Sequence, residues 1–305
     1  MCSYKPGYLE LFESGELERR VDKAWESLSS CKICPHLCRV NRLEGEHGFC
    51  EATDQAVVAS YGPHFGEEGP LVGRKGSGAV FFSWCNLRCL YCQNYEISHL
   101  GAGRAVSNEL LASCFLSLQK DGCHNINFVT PSHMVPFILQ ALLQAVKGGL
   151  SIPLIYNTGG YDSIRTLRLL DGVVDIYMPD FKYWNKEAGE HLSNIANYPQ
   201  VAKKAVKEMH RQVGELILGP DGVAQRGLLI RHLVLPGGLS DTGSVLKYIA
   251  EEISPNTYVN LMDQYRPCGM AHKYPPLDRR ISRDEFAEAL MAARDVGLNR
   301  LNKRK

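Results

Sequence analysis

The sequence predicts an α/β fold: a partial (β/α)6 TIM-like barrel preceded by an N-terminal cysteine-rich metal-binding extension. Two patterns indicate it. From residue 79 onward, six short apolar runs alternate with segments of helical periodicity, as in parallel strands joined by crossover helices. Ahead of them, residues 31–50 carry four cysteines. We therefore divide the chain into residues 1–60, a helix with the four-cysteine segment, and residues 61–305, the barrel.

The predicted strands are nearly continuous apolar runs, which is typical of parallel strands covered by helices. They are AVFF (79–82), INFV (126–129), IPLIY (152–156), VDIYM (174–178), LLIRHLVL (228–235) and TYVNLM (257–262). In a barrel of this kind the active site lies among the loops after the carboxyl ends of the strands. Residues 61–78 are rich in Gly and Pro and are predicted to form a loop.

The helices are predicted from apolar spacing and from capping residues. One helix is expected over residues 8–30, where apolar side chains recur every three or four positions. Further helices are expected after Ser107, over 133–147, over 163–170 with Asp162 as cap, over 199–213, over 242–253 with Asp241 as cap, and from the Ser282–Glu285 capping box to Gly297.

Composition and charge exclude several classes of protein. Hydrophobic residues make up 45% of the 305 residues, and the net charge of +1 gives no evident attraction for nucleic acid or an anionic membrane. The start of the chain does not resemble a signal peptide, and no apolar run reaches the ~20 residues of a membrane helix. We therefore expect a cytoplasmic protein whose eleven cysteines are metal ligands or core thiols, not disulfides.

The stretch WCNLRCLYCQN (84–94) places Cys85, Cys89 and Cys92 directly after the first predicted strand. Three thiolates on one loop can hold three irons of a [4Fe–4S] cluster and leave the fourth iron open. An open metal position can bind a further ligand. Zinc would require a fourth ligand that this loop does not offer, and buried structural thiols are the remaining alternative.

This CxxxCxxC motif, with Tyr91 before its last cysteine, resembles the signature of the radical S-adenosylmethionine superfamily. The longer stretch GSGAVFFSWCNLRCLYCQNYEIS resembles the group around pyruvate formate-lyase activating enzyme. CKICPHLCRVNRLEGEHGFC and VNLMDQYRP resemble a branch of uncharacterised Fe–S proteins related to that activase, and the similarity covers nearly the whole chain. The resemblance implies a partial barrel, a site-differentiated [4Fe–4S] cluster, bound S-adenosylmethionine and an electron donor such as flavodoxin or ferredoxin.

The resemblance also assigns residues at the ends of later strands. The superfamily carries Gly-Gly-Glu after the second strand, where this chain has FVTPSH. Thr130, Ser132 and His133 could contact S-adenosylmethionine in its place, or Thr130 or Ser132 could cap a helix.

Three further segments match the activases. Asn157 and Thr158 resemble their Asp-Thr pair, Asp180 and Lys182 resemble their Met-x-Asp-x-Lys segment, and Arg231 resembles an arginine that contacts S-adenosylmethionine. The first two segments imply a monovalent cation near the substrate. We name Lys182, Asp180 and Arg231 as candidate catalytic residues, with an ordinary ion pair as the alternative for the first two.

Cys31, Cys34, Cys38 and Cys50 form a second set. Four soft ligands can close a tetrahedral site, and ligand type alone does not choose between zinc and an auxiliary Fe–S cluster. Unliganded thiols are the alternative.

The resemblance thus implies an oxidoreductase that cleaves S-adenosylmethionine reductively to methionine and a 5′-deoxyadenosyl radical, which abstracts hydrogen from a substrate. Activation of a glycyl radical enzyme is one expectation. Modification of a small molecule, peptide or macromolecule is the other, since the N-terminal extension departs from the simplest activases. A non-catalytic Fe–S electron-transfer protein is the alternative from a different class, and it would need no open iron.

Overall fold

A computed structural model describes residues 4–302 of the chain. The strands are β1 (Ala56–His64), β2 (Ser77–Phe82), β3 (Arg104–Val106), β4 (Ile126–Val129), β5 (Leu154–Thr158), β6 (Ile176–Pro179), β7 (Ile217–Leu218), β8 (Ala224–Leu233) and β9 (Tyr258–Met262). The helices are α1 (Gly7–Glu13), α2 (Glu16–Glu26), α3 (Gly69–Val72), α4 (Tyr95–Ser98), α5 (Asn108–Lys120), α6 (Val135–Lys147), α7 (Ile164–Leu169), α8 (Lys186–Ser193), α9 (Tyr198–Val213), α10 (Thr242–Tyr248) and α11 (Arg283–Asp295).

Six strands form a parallel sheet in the order β2-β4-β5-β6-β8-β9. They are the six predicted strands, with bounds that differ by a few residues. Helices connect each of them to the next, as in repeated βαβ units. The carboxyl ends of all six strands therefore lie at one edge of the sheet, where the predicted site residues follow them.

The two faces of the sheet are packed by different groups. Leu154, Tyr156 and Tyr177 belong to the large core beneath the helices, whereas Ile155 and Ile176 belong to a smaller buried cluster. Alternate residues of a strand point to opposite faces, so this smaller cluster lies on the face opposite the large core. It also contains Leu71 of α3, Leu216 and Leu229.

Two antiparallel additions were not predicted. β1 pairs with β2 and with β3 at one end of the sheet, and β7 pairs with β8. The expected loop over 61–78 is wrong in part, because its first residues continue β1, Gly69–Val72 form α3, and β2 begins at Ser77. The proposed domain boundary at residue 60 lies inside β1.

Two helix predictions need correction. The single helix over 8–30 is divided, because Gly15 has a φ of 73° between α1 and α2; glycine reaches this left-handed conformation without a steric cost. Asp162 does not cap α7. Ser163 does so by accepting a hydrogen bond from the Thr166 amide, while Asp162 accepts from Tyr156 and Thr158.

The caps expected at Ser107, at Asp241 and in the Ser282–Glu285 box are confirmed. Within residues 4–302, no helix combines the length and the apolar character needed to span a membrane.

Candidate metal and cofactor site

The loop after β2 places three cysteine sulfurs on the wall of one cavity of about 400 Å³, within the size range of ligand sites. Each sulfur already has a polar neighbour. The Leu87 amide donates to Cys85 Sγ (3.3 Å), Ser193 Oγ lies 2.9 Å from Cys89 Sγ, and Ser98 Oγ lies 3.0 Å from Cys92 Sγ. Such donors are the usual surroundings of a ligating thiolate.

The surroundings of the loop disfavour free thiolates. Burial, followed by the neighbouring Cys89, raises the pKa of the Cys85 and Cys92 thiols. These thiols would keep their protons unless a metal replaced them, since a coordinating thiol is deprotonated outright. In the described part of the chain, no three His, Cys, Asp or Glu side chains converge closely enough to hold one ion.

The same cavity is lined by a partly buried charge network from the ends of three strands. Asp180 Oδ2 lies 2.7 Å from Lys182 Nζ, and Asp180 Oδ1 lies 2.9 Å from Arg231 Nε. Arg231 also donates to Asn157 Oδ1 (2.8 Å). Burial alone would raise the pKa of Asp180, but Lys182 and Arg231 lower it to about 2. Asp180 is therefore ionised at neutral pH, and its carboxylate forms ion pairs with both Lys182 and Arg231.

The strand register explains why these groups meet. Ile155, Met178 and Leu229 belong to the smaller buried cluster, and the residue two positions further on in each strand is Asn157, Asp180 or Arg231. Side chains two residues apart share a face. The polar network therefore forms the layer next to the apolar cluster, nearer the carboxyl edge.

The residues predicted to replace Gly-Gly-Glu separate into two groups. Thr130 lines the cavity and has a φ of 60°, a strained conformation for a β-branched residue that is often found at functional sites. Ser132 and His133 are not among the cavity-lining residues. Ser132 Oγ lies 3.0 Å from Thr158 Oγ1, and His133 Nε2 lies 2.8 Å from the Ser83 carbonyl oxygen. Neither Thr130 nor Ser132 caps α6, whose N-cap is Met134.

The other predicted contacts, Tyr91, Asn157, Thr158, Asp180, Lys182 and Arg231, all line the cavity. Thr158 is held by its hydrogen bond to Asp162 (2.6 Å).

Sequence reasoning missed Glu67, which lines the same cavity from the segment between β1 and α3. Its Oε2 lies 3.4 Å from Arg231 Nη1, and its neighbour Glu68 accepts a hydrogen bond from Asn260 of β9 (2.6 Å). Burial raises the pKa of Glu67, although Arg231 opposes this. The only signal was an acidic pair before Gly69-Pro70 in a stretch predicted to be loop.

The four N-terminal cysteines lie beside the three-cysteine loop. Cys31, Cys34 and Cys50 are buried, and burial, followed by the neighbouring Cys50, raises the pKa of the Cys34 thiol. The segment contacts the loop twice: His36 Nε2 lies 3.0 Å from the Asn86 carbonyl oxygen, and Arg88 donates to the Phe49 carbonyl oxygen (2.9 Å). The four-cysteine segment is thus hydrogen-bonded to the three-cysteine loop at Asn86, next to Cys85, and at Arg88, next to Cys89.

The backbone of this segment is unusual. Leu37 and Arg39 flank Cys38 and Glu51 follows Cys50, and all three have positive φ although none is glycine. Strain of this kind concentrates at ligand sites. Metal binding by Cys31, Cys34, Cys38 and Cys50 stays a prediction.

Fold and site together define an α/β protein whose parallel sheet carries a three-cysteine loop and a partly buried charge network that line one cavity. The chain is 32% identical over 300 residues to the uncharacterized protein MJ0674 of Methanocaldococcus jannaschii. The aligned region covers 95% of this chain and 82% of that protein. The chain belongs to the same family as that protein. No protein-family model matches the chain.

Three solved structures are similar to it. A radical SAM methyltransferase from Sphaerobacter thermophilus has a TM-score of 0.48 at 13% identity, over 75% of this chain and 66% of the methyltransferase. HydG, a maturase of the [FeFe]-hydrogenase, has a TM-score of 0.48 at 12% identity, over 74% of this chain and 50% of the maturase. QueE from Escherichia coli has a TM-score of 0.44 at 13% identity, over 82% of this chain and 94% of QueE. The chain thus spans about two thirds of the methyltransferase and half of the maturase.

Proposed function

We propose that the protein is a radical S-adenosylmethionine enzyme with its cluster at Cys85, Cys89 and Cys92. One observation carries the proposal: these three sulfurs, each next to a hydrogen-bond donor, face a cavity whose described lining contains no fourth cysteine. A [4Fe–4S] cluster with one open iron supplies, when bound there, the electron that cleaves S-adenosylmethionine to methionine and a 5′-deoxyadenosyl radical.

The chain's own residues would bind and orient the amino-acid end of S-adenosylmethionine. That end carries one carboxylate and one ammonium group. Lys182 and Arg231 provide fixed donors for the carboxylate, while Asn157, Thr158 and Glu67 provide acceptors on the same cavity. Asp180 forms ion pairs with both Lys182 and Arg231, so these two donors are held in place before the ligand binds.

A monovalent cation between Asp180 and Asn157 does not fit these residues. The Arg231 guanidinium donates to both side chains. A cation placed between the same two oxygens would have to displace it. We therefore propose that Arg231, in place of a bound cation, neutralises the negative charge of Asp180.

The second metal and the partners complete the proposal. Cys31, Cys34, Cys38 and Cys50 would hold zinc or an auxiliary Fe–S cluster, and flavodoxin or ferredoxin would supply electrons in the cytoplasm. For the substrate, the Asp180–Lys182 pair supports hydrogen abstraction from a backbone glycine of a partner enzyme, by its likeness to the activase segment. Modification of a different peptide, macromolecule or small molecule would use the same cavity.

The decisive experiment is anaerobic reconstitution with iron and sulfide, followed by dithionite or reduced flavodoxin and S-adenosylmethionine. We expect 5′-deoxyadenosine, measured by chromatography. Cys85→Ala should abolish its formation, whereas Cys268→Ala, a half-buried cysteine outside both sets, should retain it. A reduced, intact cluster that forms no 5′-deoxyadenosine would instead support the electron-transfer protein.

A further inference from the structure

A chain of buried hydroxyl groups leads to one of the three cysteine sulfurs. Tyr91 OH lies 2.5 Å from Tyr183 OH, Tyr183 OH lies 2.7 Å from Ser193 Oγ, and Ser193 Oγ lies 2.9 Å from Cys89 Sγ. Ser193 and Tyr183 are fully buried, and Tyr91 and Cys89 are nearly so. The two middle members, Ser193 and Tyr183, are therefore shielded from water, so their hydrogen bonds depend on the other members of the chain.

The fold holds Ser193 firmly against the cysteine loop. Ser193 is the last residue of α8, and Asn194 ends the helix in the left-handed conformation with a φ of 58°. Backbone hydrogen bonds then tie the helix end to the loop: the Arg88 amide donates to the Ser193 carbonyl (3.2 Å), and the Leu90 amide donates to the Leu192 carbonyl (2.9 Å). The backbone hydrogen bonds of Arg88 and Leu90, one on each side of Cys89, thus hold the Ser193 hydroxyl against the Cys89 sulfur.

Ligation would set the direction of every bond in the chain. An iron-bound thiolate has no proton to donate, so the Ser193 hydroxyl must donate to Cys89 Sγ. The Ser193 oxygen is then free to accept from Tyr183, and the Tyr183 oxygen to accept from Tyr91. All three hydroxyl dipoles would point their positive ends toward the sulfur. Of the other two sulfurs, Cys85 Sγ accepts from the Leu87 amide at 3.3 Å, and Cys92 Sγ lies 3.0 Å from Ser98 Oγ, which in turn lies 2.8 Å from His99 Nδ1.

We propose that the Tyr91–Tyr183–Ser193 chain raises the reduction potential of the cluster, because Ser193 donates a hydrogen bond to Cys89 Sγ. The proposal rests on the proposed function, because it requires Cys89 to be a cluster ligand. Reduction adds an electron to the cluster and its thiolates, and a donated hydrogen bond stabilises that added negative charge. Hydrogen bonds to ligating sulfurs are among the factors that set Fe–S potentials.

The test is an anaerobic redox titration of the reconstituted protein, followed by electron paramagnetic resonance, without S-adenosylmethionine. Ser193→Ala should make reduction of the first cluster about tenfold less favourable, which is a potential about 59 mV more negative for one electron. Tyr183→Phe keeps the ring but removes its hydroxyl, and we expect a smaller shift in the same direction. Ser113→Ala, the same substitution on the exposed side of α5, should leave the potential unchanged.

An intact cluster with an unchanged potential in Ser193→Ala would overturn the proposal. If Ser193→Ala fails to retain the cluster, Tyr183→Phe decides by its shift. Loss of the cluster in both variants, with normal iron and sulfide in Ser113→Ala, would also overturn the tuning role and assign the chain to cluster assembly. Failure of the proposed function is distinguishable, since the potential can be measured in a protein that forms no 5′-deoxyadenosine.

Discussion

Asp180 and Arg231 form a 2.9 Å ion pair between neighbouring strand ends that lie 51 residues apart in the sequence. Glu67 contacts the same guanidinium from 164 residues away, at 3.4 Å. Burial raises the pKa of both carboxylates, but the cations beside them offset it to different degrees. Two cations hold the pKa of Asp180 low, whereas burial raises the pKa of Glu67. The two residues therefore serve different purposes, which substitution can separate.

Asp180→Asn should destabilise the fold. It removes the negative charge shared by Lys182 and Arg231, so Lys182 loses the anion of its 2.7 Å ion pair and Arg231 keeps only the longer 3.4 Å contact with Glu67. Removing one partner of a buried ion pair costs about 3 kcal/mol. Urea unfolding at pH 7.5 should show this loss, while the exposed control Asp54→Asn should change the free energy of unfolding by less than about 0.5 kcal/mol. An equally small loss in Asp180→Asn would show that the network is not structural.

Glu67→Gln should leave stability at pH 7.5 unchanged or slightly higher. Ionising a buried carboxylate is unfavourable, and its 3.4 Å contact with Arg231 offsets this only in part, because Asp180 and Asn157 remain bound to the guanidinium. The same variant should weaken binding of S-adenosylmethionine, measured by calorimetry on the reconstituted protein. A loss of stability comparable to that of Asp180→Asn would contradict a binding role.

The stability of the protein should fall in mild acid partly through His133. Burial lowers its pKa to about 3, and the Ser83 carbonyl only partly opposes this. In the unfolded chain the pKa of a histidine is about 6.5, so as the pH falls His133 binds a proton in the unfolded state before it does so in the folded state. Stability is therefore fully present above pH ~6.5 and is lost below it, by about 1.4 kcal/mol per pH unit. His133→Gln should reduce the slope between pH 7.5 and 5, whereas the exposed His272→Gln should not.

The sequence predicted the parallel strands because each is a continuous apolar run, and it placed Cys85, Asn157, Asp180 and Arg231 near one edge because parallel strands end together. It did not predict β1, which is buried only near its start and whose second half, ending in Gly-Pro-His, is exposed or half-buried. Ser193 was also missed. Its contact with Cys89 spans 104 residues and depends on where α8 ends, which no local pattern records.

Gly160→Ala should perturb the site through the backbone. Gly160 has a φ of 80°, and a Cβ there would collide with the carbonyl oxygen of Asp180. Gly149→Ala is a matched control, since its φ is 92° but a Cβ would meet no atom within 4 Å. The control should lose about 1 kcal/mol from the left-handed conformation, and Gly160→Ala about 1–3 kcal/mol more from the overlap. Equal losses in urea unfolding would show that the strand end adjusts freely.

The N-terminal cysteines can be tested apart from the first cluster. In the triple variant Cys85→Ala/Cys89→Ala/Cys92→Ala, any metal that remains belongs to the second set, so elemental analysis would distinguish zinc from iron. Conversely, Cys31→Ala should lose that metal and retain the first cluster, because no described contact joins Cys31 to the three-cysteine loop. We also expect Cys31→Ala to be less stable, since a structural metal contributes directly to folding. A triple variant without metal, or a Cys31→Ala variant with unchanged metal content, would assign these four cysteines to the core as free thiols.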